Sequence, residues 1–446
     1  MTTGPILKKL VIYSIPIILT NILQSLFHSA DVFVLGVFTN DNAVAAVGAN
    51  GSLINLIICI FVGLSSGANV ITARHLGRGD AERVKRTVGM SVVISLIAGV
   101  ILLLIGVFMA RTFHILLKCP SEYLEMATTY LTVYFLGMPI IMLYNFCSSI
   151  MRAAGDTLRP LLFLILGGVL NIGGNVFFIK VLGMDVEGVA ISTIISQGVS
   201  ALLCIIVLLK SKGVCKLELK YLKIFREEFK EVVAVGVPSG LQSMAFQVTN
   251  VVIVAYVNQL NAMAGYTLGY QLTHIIYNVG YGVALGTMSF VSQNYGANRI
   301  DRVKKTVYVA LGFSAVFSLV VGSLAFFLCE PICSVSTDTP EVIAEAKRLL
   351  SVLSFTYWIC GWMDILSYSL RALDKSFVAF IVCFMGVSVF RLIWIAVLIN
   401  FWRSTLMIYL CWPISWVITC AIAAPILAVR IKKVSAAVKL KEKPAV

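Results

Sequence analysis

The chain is expected to fold as an all-α polytopic membrane protein, with twelve transmembrane helices in two six-helix bundles related by an internal parallel repeat. Three observations predict this. Of 446 residues, 59% belong to the hydrophobic set and only 13% are charged, whereas a soluble domain is about half apolar and a quarter charged. The apolar runs are too long for the strands of a membrane barrel, so they span as helices. One stretch of sequence also occurs twice at a fixed offset, which marks a duplicated unit.

Twelve spans are read at about 10–37, 44–73, 87–110, 126–151, 158–182, 186–209, 231–257, 263–293, 306–329, 346–371, 376–400 and 405–430, each long enough to cross a bilayer. Lys8 and Lys9 precede a run too long for a signal-peptide core, and no small-residue cleavage site follows it, so no cleaved leader is expected. A net charge of +14 raises nucleic acid as a partner, but the distribution of charge opposes it. Of 35 Lys and Arg, only Arg111, Lys118, Lys180, Lys347, Arg348 and Arg403 fall in odd-numbered loops, and Arg391 falls inside a span. The rest lie at the termini and in even-numbered loops. By the positive-inside rule both termini are expected in the cytoplasm, in a protein of the inner (plasma) membrane. The basic excess is then a topology signal, with anionic lipid as its counterpart. Eleven cysteines are scattered without CxxC or Cys/His ligand spacing, which supports neither a disulfide framework nor a metal site.

The repeat aligns Gly77-Arg-Gly-Asp-Ala-Glu-Arg-Val-Lys-Arg-Thr-Val88 with Gly296-Ala-Asn-Arg-Ile-Asp-Arg-Val-Lys-Lys-Thr-Val307, an offset of 219 residues. The same offset pairs Asn42-Ala43 with Asn261-Ala262, Gly63 with Gly282, and Met151-Arg152-Ala153 with Leu370-Arg371-Ala372. Six spans per repeat give the two halves the same orientation. The expected organisation is a bundle over 1–209, a basic linker over 210–230, a second bundle over 231–430 and a basic tail over 431–446. The repeated loop, Arg74–Arg86 in the first half, is expected to form a short amphipathic turn. Folds of this kind bind substrate near the interface of their repeats and work by alternating access. No GxxxxGK[ST] phosphate loop occurs, so ion-coupled secondary transport is expected, with no cofactor beyond H⁺ or Na⁺. A non-transporting membrane scaffold and a flippase for an amphipathic or lipid-linked metabolite stay open as alternatives.

Polar residues inside the spans are costly and mark function. Asn21, Gln24, His28 and Asp31 are spaced 3, 4 and 3, which makes one stripe on a helix, expected to face the bundle interior. Span 1 runs outward, and Asp31 lies ~9 Å short of its outer end. The same arithmetic puts Asn175 of span 5 and Thr193 of span 6 ~10 Å from that side, with Asn171 one turn deeper on the Asn175 face. If spans 1, 5 and 6 are neighbours, a carboxylate, two amides and a hydroxyl share one level and suit a proton or a sodium ion. His28 is a candidate relay. Pro16, some four turns before Asp31, is read either as a first-turn proline or as a hinge. In the second half Gln247 and Asn250 extend the stripe of Ser239 and Ser243, while Gln271, His274 and Asn278 form another with Tyr281. Tyr357 and Asp364 share a stripe with Gly361, Tyr368 and Arg371 on span 10. Arg391 lies ~10 Å from Asp364 in depth, which disfavours a direct pair. These residues, with Asn21 and Gln24, are expected to line a cavity for cationic amphipathic substrates.

These residues resemble the MATE (multidrug and toxic compound extrusion) family, and within it the DinF-like branch. The likeness runs from Pro16 and Asp31-Val-Phe-Val-Leu-Gly36 to span 12, and includes the duplicated Arg-Val-Lys loops and the Met151-Arg-Ala-Ala-Gly-Asp-Thr157 turn. The resemblance implies a monomeric antiporter, not an enzyme, exporting lipophilic and often cationic compounds against H⁺ or Na⁺. It also implies a cation site at Asp31, Asn171, Asn175 and Thr193. This chain departs from the pattern at Asn175, where many relatives carry an aspartate. It also lacks an early span-7 glutamate, having Phe246 and Gln247 in that neighbourhood.

Overall fold

The computed structural model describes residues 1–117, 119–398, 401 and 403–442, and the side chains of His28, Ser52, Leu398, Lys441 and Glu442 lie outside the described set. Lys118 and the last four residues of the expected tail lie outside it as well. The described residues form helices and no strand. In chain order these are α1 (Ile6–Phe38), α2 (Asp41–Arg78), α3 (Ala81–Leu116), α4 (Leu124–Leu136), α5 (Met138–Ala154), α6 (Leu158–Lys180), α7 (Val186–Lys210) and α8 (Arg226–Gln259). Then come α9 (Met263–Gly296), α10 (Ile300–Phe327), α11 (Cys329–Cys333), α12 (Pro340–Leu353), α13 (Tyr357–Ala372), α14 (Ser376–Cys383), a π-helical segment Phe384–Val389, α15 (Phe390–Leu398) and α16 (Thr405–Glu442).

Among the described residues ten helices are long and apolar enough to cross a membrane unaided, and the bent pairs α4–α5 (51°) and α12–α13 (49°) bring the number to twelve. Neither bend shows in hydropathy. The first falls at Gly137, just before Pro139 at the start of α5, and proline favours the first turn of a new helix. The second falls between Leu353 and Tyr357, and Thr356 there is Gly137 moved by the repeat offset. The duplicated loop is tighter than the expected amphipathic turn. Gly79, at φ 76°, closes α2 in a left-handed cap, and the Asp80 side chain accepts from the Arg83 N–H to open α3. One glycine and one capping carboxylate therefore suffice to join the two helices. Pro16 stands well inside α1, not in its first turn. The basic tail continues α16 as far as Glu442 without a break.

The chain divides into two compact units, residues 19–240 and residues 1–18 with 241–446. The boundaries fall inside α1 and α8, away from the basic linker over 210–230. In unit 19–240, Gly63 and Gly67 of α2 meet Gly236 and Gly240 of α8 so closely that a Cβ on Gly63 would lie 2.4 Å from the Gly240 nitrogen. Small residues at four-residue spacing permit this backbone approach. The other unit repeats the arrangement at the same offset, with Gly282 and Gly286 of α9 against Ile18 and Ser14 of α1. The duplicated arginine follows suit. Arg83 pairs with Glu227, and with Glu228 and Glu231 at 3.4 and 3.6 Å. Its counterpart Arg302 donates to the carbonyls of Gly4 and Met1 at 3.1 and 3.2 Å. Each unit thus holds the opening turns of the other half's first helix.

Among the described residues the core of unit 19–240 includes two clusters. One is built around Leu35, Val47, Leu102, Leu131 and Phe135, the other around Val88, Cys147, Ile150 and Cys204. The second unit packs Ile253, Ile276, Leu349, Leu353, Tyr409 and Trp416 together. All eleven cysteines are free.

Candidate functional site

Asp31 is 6% exposed, and its Oδ1 accepts from Asn175 Nδ2 at 2.6 Å. Asn175 is fully buried on α6, and Asn171 lies one turn before it on the same face. Asn171 Nδ2 donates to Thr193 Oγ1 of α7 at 3.1 Å, and the Ser192 hydroxyl donates to the Asn171 carbonyl at 2.8 Å. The Thr193 hydroxyl itself donates a hydrogen bond to the Val189 carbonyl at 3.0 Å. The structure therefore brings together α1, α6 and α7, the helices of spans 1, 5 and 6. Glycines make the approach feasible. A Cβ on Gly168 would meet the Phe27 ring of α1 at 1.9 Å, and one on Gly174 would meet Ser192 Oγ of α7 at 2.4 Å.

The shell keeps unused acceptors. The Oδ1 atoms of Asn171 and Asn175 are buried without a hydrogen-bond partner. Leaving such groups unpaired costs about 1–3 kcal/mol each. Tyr130 and Tyr134 of α4, stacked at 5.9 Å, lie within electrostatic reach of the Asp31 carboxylate. Neither stands out in the sequence, because tyrosines in an apolar run look like core.

The expected stripe on α1 does not share one environment. Asp31 is buried, Asn21 is half-buried with Nδ2 unpartnered, and Gln24 is exposed. The cause is local: the face is covered at Asp31, where α6 brings Asn175, and not at Gln24. The side chain of His28 lies outside the described residues.

The polar residues of the second half fall into separate groups. Asn278 is buried and lies 3.2 Å from His274 Nδ1, nitrogen to nitrogen, while Gln247 and Asn250 are half-buried and Gln271 is exposed. Asp364 is 4% exposed with Oδ2 unpartnered. Arg371, the basic group that faces it, donates to Gln242 Oε1 at 2.7 Å and lies 4.4 Å over the Tyr368 ring. Gln242 is a buried partner that the sequence stripes missed. Arg391 sits elsewhere, beside Tyr357, Trp412 and Trp416, and makes no ion pair with Asp364. Among the described residues no group of three His, Cys, Asp or Glu could hold a metal ion.

The MatE family model matches residues 16–177 and 237–420, most of both halves. The chain belongs to the MatE family. It is thus a member of the MATE multidrug efflux transporters, which are membrane transporters of small molecules and not enzymes. Among curated relatives, "Probable multidrug resistance protein YoeA" of Bacillus subtilis is 26% identical over 82% of this chain and 81% of its own length. "Probable multidrug resistance protein NorM" of Thermotoga maritima is 24% identical over 86% and 84%. Among solved structures, one described as MATE in the bent conformation superposes with a TM-score of 0.90 at 21% identity, covering 98% of each chain. Another, described as the outward-facing conformation of a multidrug resistance MATE family transporter of the MOP superfamily, gives 0.90 at 22% over 97% of each. These likenesses establish the fold.

Proposed function

We propose that this MATE family member is a secondary active antiporter of the plasma membrane, exporting lipophilic and often cationic compounds in exchange for protons by alternating access. Asp31 is the coupling carboxylate, with Asn171, Asn175 and Thr193 as its shell. The observation that carries the reading is a nearly buried Asp31 whose near neighbours are amides, a hydroxyl and tyrosines, with no basic side chain facing it among the described residues. A carboxylate so placed is costly unless a cation neutralises it. A proton entering from one side and leaving to the other supplies that cation transiently. A single carboxylate favours H⁺ over Na⁺, since hard metal ions prefer several anionic oxygens. The names of the relatives support drug export, and the positive-inside count supports cytoplasmic termini.

The test uses purified protein in proteoliposomes loaded with a fluorescent cation, under an imposed pH gradient or an imposed sodium gradient. Efflux driven by the pH gradient is expected. Efflux indifferent to both gradients would contradict the reading.

A further inference from the structure

His114 lies in the last turn of α3 and is 2% exposed. Both of its ring nitrogens face oxygen atoms. Nδ1 is 2.8 Å from the Ala110 carbonyl, and Nε2 is 3.2 Å from Asn50 Oδ1 of α2. Asn50 is fully buried, and its own bonds fix which way the amide points. Its Nδ2 donates to the Ala46 carbonyl at 2.8 Å and to the Ala127 carbonyl of α4 at 3.1 Å. Turning the amide over would set Oδ1 against two carbonyls, neither of which can donate. A neutral imidazole carries one N–H and one bare lone pair. In either tautomer that lone pair here meets an oxygen. The imidazolium, a donor at both nitrogens, satisfies both contacts. The carbonyl end of α3 also favours a cation at this place.

The ionisable groups on the elements around the ring are few. α2 carries Asp41, nine residues before Asn50, and α4 carries Tyr130 and Tyr134. Arg111 of α3 and Glu125 of α4 are exposed and pair with each other at 3.0 Å. Cys119, Glu122 and Tyr123 lie in the connection between these helices, where the Cys119 N–H donates to the His114 carbonyl at 2.9 Å. Among the described residues none of these side chains bonds to the ring. The repeat shows that packing does not require an imidazole here. The offset of 219 residues carries Ala110 and His114 to Cys329 and Cys333, Asn50 to Gly269, and Ala127 to Ala346. In that half Cys329, Cys333 and Ala346 are buried in one apolar cluster. A Cβ on Gly269 would lie 3.1 Å from the Ala346 carbonyl, so the helices close without a polar link.

We propose that His114 is a second proton-binding site, whose bound proton ties α2, α3 and α4 together at one end of the first half. When the proton leaves, a lone pair faces Asn50 Oδ1. Relief by turning the amide undoes the hydrogen bond to Ala127, and α4 is released from α2. Tyr130 and Tyr134 lie one and two turns beyond Ala127 on α4, within electrostatic reach of Asp31. The His114 proton therefore sets how firmly α4 holds these tyrosines near the coupling carboxylate. By the positive-charge count this end of α3 faces outside, so the proton arrives from the outer side. The inference rests on the proton-coupled reading for its part in transport, but not for the charge of the ring.

The test is nitrogen NMR on the full-length protein in nanodiscs, with its four histidines isotope-labelled. The His114 signal is assigned by its loss in His114→Gln. Should that variant not fold, single variants of His28, His75 and His274 assign it by elimination. Both ring nitrogens are expected to be protonated at neutral pH, and one to become bare as the pH is raised. Asn50→Asp puts a carboxylate at the acceptor and is expected to raise the midpoint of that change by about 1–3 pH units, since an opposite charge favours the charged ring. Backbone amides of α4 are expected to exchange at least about tenfold faster above the midpoint than below it, after correction for the intrinsic rate. A ring with one bare nitrogen at neutral pH would overturn the proposal. So would a midpoint unmoved in monodisperse Asn50→Asp protein, or α4 protection that ignores the midpoint. Absence of pH-driven efflux in the wild type would instead refute the transport reading, and the charge of the ring is read the same way in either case.

Discussion

Asn175→Asp places a second carboxylate where an amide now donates to Asp31 Oδ1 at 2.6 Å. The donor is lost and a like charge takes its place. At a relaxed separation of about 4 Å and an effective dielectric near 20, two such charges repel by about 4 kcal/mol. Two bare carboxylates cannot share this pocket at that cost, so a cation must join them. The same energy corresponds to about a thousandfold gain in cation occupancy over the single carboxylate. Sodium then becomes a competent occupant alongside the proton. Two assays read the effect. Sodium added to the purified variant should raise its melting temperature, because a ligand that binds only the folded state stabilises it, and efflux from proteoliposomes should respond to a sodium gradient. If sodium changes neither property more than in the wild type, Asn175 does not belong to the ion shell.

Three further outcomes follow from the fold. Gly240→Val forces a side chain into a place where even a Cβ lies 2.4 Å from Ile60 Cα, and should cost about 1–3 kcal/mol in thermal unfolding; Gly312→Ala, with nothing within 4 Å, should gain about 0.5–1 kcal/mol by helix propensity. Arg83→Gln should loosen the start of α8 to proteolysis, and the difference from wild type should shrink in high salt, since Arg83 holds carboxylates. Arg302→Gln should show little such salt dependence, since Arg302 holds carbonyls of Met1 and Gly4. Glu218, in the exposed linker, is hydrogen-bonded by Lys85 and Lys220, which hold its carboxyl below the usual range. Its stabilising effect is present above the ordinary glutamate pKa of about 4.3 and disappears as the pH falls through its lower folded value. Glu218→Gln should therefore melt below wild type at neutral pH, and together with it once the carboxyl is protonated in both states.

Hydropathy and the positive-charge pattern made the twelve spans legible, because a bilayer demands an apolar run for every crossing. They did not show the bends near Gly137 and Thr356, because an apolar run reads the same whether straight or broken. Pro139 was the available sign. Depth arithmetic was enough to gather Asp31, Asn171, Asn175 and Thr193, since helical rise is fixed and all four lie near one level. It could not show that α6 covers the α1 stripe at Asp31 while Gln24 is exposed. The unit boundaries inside α1 and α8 depend on close glycine contacts across helices distant in sequence, such as Gly63 with Gly240. Spacing along one helix carries no record of such contacts. The place of Arg391 beside Ser415 was likewise hidden, because a sequence shows a charge in a span but not which hydrogen bonds it makes.

The central claim is that Asp31 couples ion entry to export. Asp31→Asn tests it most directly, since an amide can stand for the protonated acid but cannot release and regain a proton. The measurement is dye efflux from proteoliposomes under an imposed pH gradient, at matched amounts of inserted wild-type and variant protein, with dye binding to the purified proteins in parallel. Gradient-driven efflux is expected to be lost while the variant still inserts and binds dye. Wild-type rates of gradient-driven efflux in Asp31→Asn would contradict it.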